Sequence, residues 1–579
     1  MINVKDHKTG YLFDPWEFLG KKRRKLMDKS WAGLFREKIL CELPVGEFAE
    51  LFSEEYGRPT KELYAVLGAL ILQQMLDLSD DETIEQFAFN LQWHYALDIT
   101  STNEGEAYMC PRTLWGMRDM VIGEGLDGVL FNTVTEVLAR GFDVDTSKQR
   151  IDSVHIRSNM RRLGRIRIFA QTINKFLVNL KRRHKELFDA LPEEMVHTYM
   201  GDKAISAFSL VKPSVAGKTL EMLSKDLFNL GQRFSDNKEV RSMSSYSLIL
   251  RVLEEQCVIT KDPNGKPLEV AVKTAKKVPS DSLQNPSDAD ATYDGHKGQG
   301  YQVQVMETYT ENKAETTLNL ITHVEVEGAH KSDAHALIPA IESAQDRDLG
   351  PQEVLADSLY GSDANQMKAR EMGVDLVSPC MGSSLNGSLS LGDFECNNHG
   401  RITKCPAGHA PVFHKTKKDR HSVGFALDVC ATCPHRSYCP VQEGKKNYYL
   451  RYTTKAIRID RRRKAEHSDE FINKYRYRAG VEATMSEYNT RTGVKRLRVR
   501  GMKAVRYCAT LKAIGVNIFR ATAVRKALRP SSDDFSTGKS SFLSKISHVT
   551  YRLGLVFSHF EKHLHIDKLG YNIEPVLAS

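Results

Sequence analysis

The chain is poor in the features that mark several protein classes. Ten cysteines in 579 residues are too few for a disulfide scaffold. No uninterrupted apolar run approaches the ~18 residues that a membrane span needs. The first twenty residues, MINVKDHKTGYLFDPWEFLG, lack the basic-then-apolar plan of a secretory signal. No internal repeat is visible, and no low-complexity tract exceeds the Ser-rich stretch 531–541. The expectation is a cytoplasmic protein without a membrane anchor. What is present, 41% hydrophobic residues, is ample for a packed interior and excludes wholesale disorder. At roughly 100–200 residues per domain, the length predicts about three to five domains or one large core with insertions.

Net charge is +9, from 82 basic and 73 acidic residues. Its distribution says more than its sum. Arg451 to Pro530 holds 22 Lys/Arg and 6 Asp/Glu, or 22 − 6 = +16, so the remainder sums to 9 − 16 = −7. An asymmetry spread over some 80 residues points to a surface for a polyanion rather than to one solvated helical face.

Residues 1–44 read as an N-terminal arm with a basic knot at Lys21, Lys22, Arg23, Arg24 and Lys25. Residues 45–140 read as an all-α domain. Leu63, Val66, Leu67, Leu70, Ile71 and Met75 recur at helical steps, Asp80 and Asp81 suit a second helix start, and Pro111 a third. Strand signals follow at 149–156, 300–306, 318–326, 354–357 and 375–378, with a helix over 332–347 interrupted by Pro339. Strands alternating with helices predict an α/β core over 141–530. A mostly helical insertion occupies 160–285 and a cysteine-bearing one 380–445, with a tail at 531–579.

Two aspartates sit inside short apolar runs, Asp152 in RIDSVHI and Asp357 in EVLADSLYG. A carboxylate in a buried-looking strand is costly unless paired or bound to metal, and ligand sites form at strand ends of α/β sheets. The stretch from Asp469 to Asn489 lacks proline and reads as one helix. Steps of three, four and seven residues put Tyr475, Arg478, Glu482 and Asn489 on one face, with Arg478 one turn before Glu482. Alone, each signal also fits a turn residue or an exposed ion pair.

Taken together, IDSVHIRSN with Asp152, ADSLYG with Asp357 and YRYRAGVE with Glu482 resemble the acidic triad of DDE transposases from bacterial insertion sequences. Tyr475, Arg478 and Glu482 match that family's helix signature, but its lysine position holds Asn489. The stretch from Tyr56-Gly57-Arg58-Pro59 to Met75 resembles the family's N-terminal helical domain, and 286–303 the entry to the core's second strand. The resemblance implies an RNase H-like catalytic core that cleaves transposon ends and joins them to target DNA. It implies double-stranded DNA as partner, a homodimer on that DNA because two ends are cut, and a nucleoid-associated place in the bacterial cytoplasm. Asp152, Asp357 and Glu482 would hold two Mg²⁺ (or Mn²⁺), with carboxylates supplying hard oxygen ligands. Tyr475, Arg478, Asn489, Arg491, Lys495, Arg496, Arg498 and Arg500 are the candidate DNA contacts, joined by Lys503 and Arg506, because few acids lie near them in sequence. Two alternatives share these residues: an inactive or domesticated DNA-binding descendant, for which Asn489 speaks, and a metal-dependent nuclease without strand transfer.

Six of the ten cysteines fall within 380–439. Cys405, Cys430, Cys433 and Cys439 have the spacing of a tetrahedral zinc set in a zinc-ribbon-like insertion. His409, His435, Cys396 and His399 compete as ligands, and a loop of free thiols is the alternative. Such a zinc would be structural, since four thiolates leave no position for water.

Overall fold

The computed structural model describes residues 2–53, 58–101, 103–311, 314–382, 389–397 and 400–528. Tyr56, Gly57, His399 and the tail at 531–579 lie outside the described residues. Met1 to Arg525 forms one compact unit.

The N-terminal part is helical: α1 (Gly20–Lys29), α2 (Leu63–Met75), α3 (Asp80–Phe89), α4 (Pro111–Glu124) and α5 (Asp127–Gly141). Local chemistry sets these boundaries. Ser79 caps α3 through a reciprocal capping box with Glu82. Pro111 opens α4, where its missing N–H costs nothing, and Gly125 closes it in the left-handed region. The first 44 residues, read as an arm, instead pack into this layer: Trp16, Leu34, Phe35, Ile39 and Leu40 are buried in its core. Basic residues around α1, none of them buried, mask that apolar content in the sequence.

The central sheet has six strands: β1 (Lys148–Arg157), β2 (Thr292–Asp294), β3 (Gly298–Thr308), β4 (Ile321–Gly328), β5 (Glu353–Leu355) and β6 (Asp375–Val377). β1 lies at its centre, antiparallel to β3 and parallel to β5, and β6 continues parallel beyond β5. Both β2 and β4 pair antiparallel with the far side of β3. Helices cover both faces. On one, the N-terminal layer and α11 (Met502–Leu528) share a core with Val154, Ile156, Val303 and Val305. On the other, α6 (Leu337–Gln345) and α7 (Asp363–Glu371) pack with Ile151, Met306 and Val354. Pro339 falls in the first turn of α6, where it breaks no hydrogen bond.

Each insertion has its own core. Residues 165–256 are mostly helical, with Phe169, Phe176, Leu227 and Ile249 buried together and an edge hairpin at 257–272. The cysteine-bearing insertion is a four-stranded sheet, with strands Phe413–Lys417, Arg420–Phe425, Tyr448–Thr453 and Gln442–Glu443, around Phe394, Val423, Phe425 and Leu450. Thr454–Ala465 forms α8, Asp469–Tyr475 forms α9 and Gly480–Thr492 forms α10. A 3₁₀ turn at Arg476–Ala479 interrupts the single helix expected over 469–489. No helix among the described residues is long and apolar enough to cross a membrane.

Candidate active site

The site begins with a buried charge that no local pattern reveals. Glu307 on β3 is 0% exposed and accepts from Arg150 Nε (2.8 Å), Arg520 Nη1 (2.8 Å) and Thr484 Oγ1 (2.7 Å). Arg150 also donates to the carbonyl of Tyr477 at 2.6 Å, and Arg520 to Glu487 at 2.8 Å. An unpaired carboxylate here would be prohibitively costly; with two guanidiniums and a hydroxyl it is satisfied. The network ties α10 and the turn before it to the first part of β1, at Arg150. Gly480 is part of this joint, because a Cβ there would stand 2.1 Å from Arg150 Nη1.

That clamp brings Glu482 beside Asp152. Arg478 donates to Asp152 Oδ2 at 2.8 Å and to Glu482 Oε1 at 3.4 Å, so one guanidinium spans both carboxylates. The two differ in exposure: the Glu482 side chain is 72% exposed, that of Asp152 only 17%. Burial pushes the Asp152 carboxyl up, opposed by Arg478 and the Ser153 N–H, while Asp357 and Asp333 push it further up. Asp357 follows β5, where its Oδ1 accepts from the Leu359 N–H and its carbonyl from Ser378 Oγ. The hydroxyl of buried Tyr360 is raised by burial and then by Asp333, Asp152 and Asp357. Asp152 is thus under the influence of Asp357 and Asp333, and Arg478 joins it to Glu482.

An open groove runs past Asp152 and Glu482. Its walls are Ser153, His155 and Arg157 of β1, His296 and Lys297 from the turn between β2 and β3, Met485, Ser486 and Asn489 of α10, and Lys495. Asn489 Oδ1 accepts from the Lys495 N–H at 3.3 Å, and the Lys495 carbonyl accepts from the Arg157 N–H at 3.0 Å, so the loop after α10 is fastened to β1. The sequence reading missed Ser153, His155, Arg157, His296 and Lys297. The first three lie within five residues of Asp152 on a recognisable strand. The other two belong to the stretch already marked as the entry to the second strand, so position along those strands was the available signal.

The remaining candidate DNA contacts divide. Lys495, Arg496, Arg498 and Arg500 are exposed. Arg491, however, is paired with Glu487 at 2.9 Å and lies over the Phe519 ring. Arg506 is paired with buried Asp127 at 2.9 Å, and Arg498 with Asp77 at 3.6 Å. The premise that few acids neutralise this segment is corrected: the partners Asp77 and Asp127 are some 400 residues away in sequence. Arg478 is engaged with carboxylates rather than open to a phosphate. Tyr475 is half-buried and stacked on Phe471 at 5.4 Å between ring centres.

Cys405, Cys430, Cys433 and Cys439 line one small cavity of the insertion with His409 and His435. Burial, then Cys439, Cys405 and Cys433, push the Cys430 thiol up to about 11. Cys396 lies in the strand Glu395–Cys396 and is not among the residues lining this cavity. As the side chains lie, no group of three or more His, Cys, Asp or Glu among the described residues is arranged to hold a metal ion. The expected zinc set shares a cavity without forming a ligand cage. The acids likewise do not form one, and Arg478 bridges two of them.

Residues 33–119 match the family described as Transposase domain (DUF772), and residues 404–522 match the Transposase DDE domain. The first covers most of the helical layer; the second runs from the cysteine-bearing insertion through Arg478 and Glu482 into α11. Both are transposase families. Together the two matches support a DDE transposase of insertion-sequence type. No curated protein matches the chain.

Proposed function

We propose that the chain is a DNA transposase whose acidic site, Asp152, Asp357 and Glu482, cleaves the ends of an insertion sequence and joins them to target DNA. The observation that carries this reading is the Arg478 guanidinium spanning Asp152 and Glu482, two acids that line one groove with Arg157, Lys297 and Lys495. The central β1, its parallel neighbour β5 ending just before Asp357, and helices on both faces support an RNase H-like core. The donor set suits a hard divalent cation: three carboxylates, of which Asp152 is desolvated and raised further by Asp357 and by neighbouring Asp333, a repulsion that added positive charge relieves. Bound Mg²⁺ would supply activation of the attacking hydroxyl and stabilisation of the leaving oxygen.

The chain's own residues do the rest. Arg478 offsets the repulsion between Asp152 and Glu482 and would compete with a cation for Asp152. The Glu307 network holds α10 at a fixed distance from β1. Lys495, Arg496, Arg498 and Arg500 bind backbone phosphates, which positions DNA without reading its sequence; base reading falls to the helical layer and the basic face of α1. In the insertion, Cys405, Cys430, Cys433 and Cys439 would hold a structural zinc, a reading supported by their common cavity. DNA transactions at two ends imply a dimer.

The test is cleavage of a duplex carrying the element's end by the full chain with Mg²⁺. Alanine at Asp152, Asp357 or Glu482 should abolish cutting and leave duplex binding in place. Undiminished cutting by any of these variants would contradict the assignment.

A further inference from the structure

Lys297 stands opposite the acids in the groove, and neither composition nor motif singles it out. Its backbone is fixed in the tight turn between β2 and β3, where Asp294 Oδ1 accepts from the N–H groups of His296 (2.8 Å) and Lys297 (2.6 Å), and Gly298 takes φ +98°. Its ammonium lies 3.1 Å from Ser153 Oγ, the residue after Asp152, and 3.6 Å from Asp333 Oδ2. Asp333 is 7% exposed, and Lys297 is the one cation paired with it among the described residues. Behind Asp333 runs a buried chain: Gln304 Nε2 donates to Asp333 Oδ1 at 2.8 Å, and the Tyr360 hydroxyl donates to Gln304 Oε1 at 2.5 Å. Tyr360 lies three residues beyond Asp357. The aim of Lys297 is therefore set by groups anchored in β1, β3 and the loop that carries Asp357.

An ammonium has three protons to give. One points to Ser153, one to Asp333, and the third is free on the open side, where Lys297 is 36% exposed and lines the groove with Asp152, Glu482 and Lys495. A polyanion approaching carboxylates needs a fixed positive charge close by. We infer that Lys297 is a binding site for a backbone phosphate of the DNA strand at the acids, and that Asp333, with Gln304 and Tyr360, is a positioning residue that aims it. Asp333 is not a fourth metal ligand. This rests on the acidic groove being where DNA is cut.

The experiment measures duplex binding against salt in chelator, and cleavage in Mg²⁺, for the full chain. Lys297→Ala should lower the slope of log K against log salt by about one unit and weaken binding to end and unrelated duplexes alike. Lys297→Arg should restore the slope. Asp333→Asn keeps the cationic side chain, so the slope should stay while cleavage at saturating DNA falls roughly tenfold or more. If Lys297→Ala unfolds because Asp333 is left unpaired, the double variant Lys297→Gln/Asp333→Asn removes both charges and should show the same lost unit. An unchanged slope in folded Lys297→Ala, or in the double variant, overturns the inference, as does full cleavage by Asp333→Asn. Asp152→Ala in parallel separates the two readings: if it still cuts, the acidic site is wrong, while the salt slope decides Lys297 on its own.

Discussion

The acidic groove and the cysteine cavity were both marked by residue type, yet they are built by opposite routes. The cysteines lie within 35 residues of one another, on short strands and turns around a small core, and the fold gathers them in one cavity without completing a ligand cage. Asp152 and Glu482 lie 482 − 152 = 330 residues apart and come together only because buried partners from four elements hold β1 and α10 in register. A local cluster is easy to read and depends on a ligand to finish it; a dispersed site is hard to read and depends on the fold. Disturbing the groove should therefore change chemistry, and disturbing the cavity should change the stability of one insertion.

The largest effect is expected at Asp357, the acid that Arg478 does not bridge. Asp357→Ala should abolish cleavage as fully as Asp152→Ala, with duplex affinity unchanged in a gel-shift or anisotropy titration. Next comes Glu307→Ala, which leaves Arg150 and Arg520 without their shared partner. Breaking such a buried pair costs about 3–5 kcal/mol, so chemical denaturation should show a loss of that size. The register of α10 against β1 should fail with it, and cleavage with the register. In the insertion, Cys430→Ser or Cys433→Ser should remove about one zinc per chain by elemental analysis and raise proteolysis within 389–453. Cleavage should fall less than it does for Glu307→Ala.

Among the basic residues, exposed Lys495 and Arg498 should differ. Lys495→Ala should reduce the salt slope by about one unit, and Arg498→Ala by less, because Asp77 already shares the Arg498 charge. The smallest effect lies far from the groove, at His7. Burial would lower its pKa, but Asp98 and Glu62 more than offset this and hold it at about 9 against an ordinary 6.5. A raised pKa means that this contribution is fully present below about 6.5 and is lost as pH rises through about 9. Thermal stability of the full chain should therefore decline across that window, and His7→Gln should flatten the decline.

How far the sequence could be read follows from the same contrast. The run QRIDSVHI marks β1 almost to its ends because apolar residues bounded by polar ones are a local signal, and Leu63 to Met75 marks α2 for the same reason. Asp152 and Glu482 were legible because residue type and element type coincide. Glu307 was not: it sits in an ordinary strand, and its partners Arg150, Thr484 and Arg520 are each more than 150 residues away. The same holds for Asp77 with Arg498 and Asp127 with Arg506, which is why the basic segment looked less neutralised than it is. Trp16 and Phe35 were hidden by the lysines and arginines between them. The turn at Arg476–Ala479 follows from Arg150 reaching the Tyr477 carbonyl across 327 positions.

The central claim, that Asp152, Asp357 and Glu482 supply one cation site of which Arg478 spans two carboxylates, is tested most directly by calorimetric titration of Mg²⁺ or Mn²⁺ into the full chain. The account predicts saturable binding, abolished by Asp152→Ala and by Glu482→Ala. It also predicts tighter binding for Arg478→Gln, since the competing guanidinium is gone. Equal binding by the Asp152→Ala and native chains would contradict it.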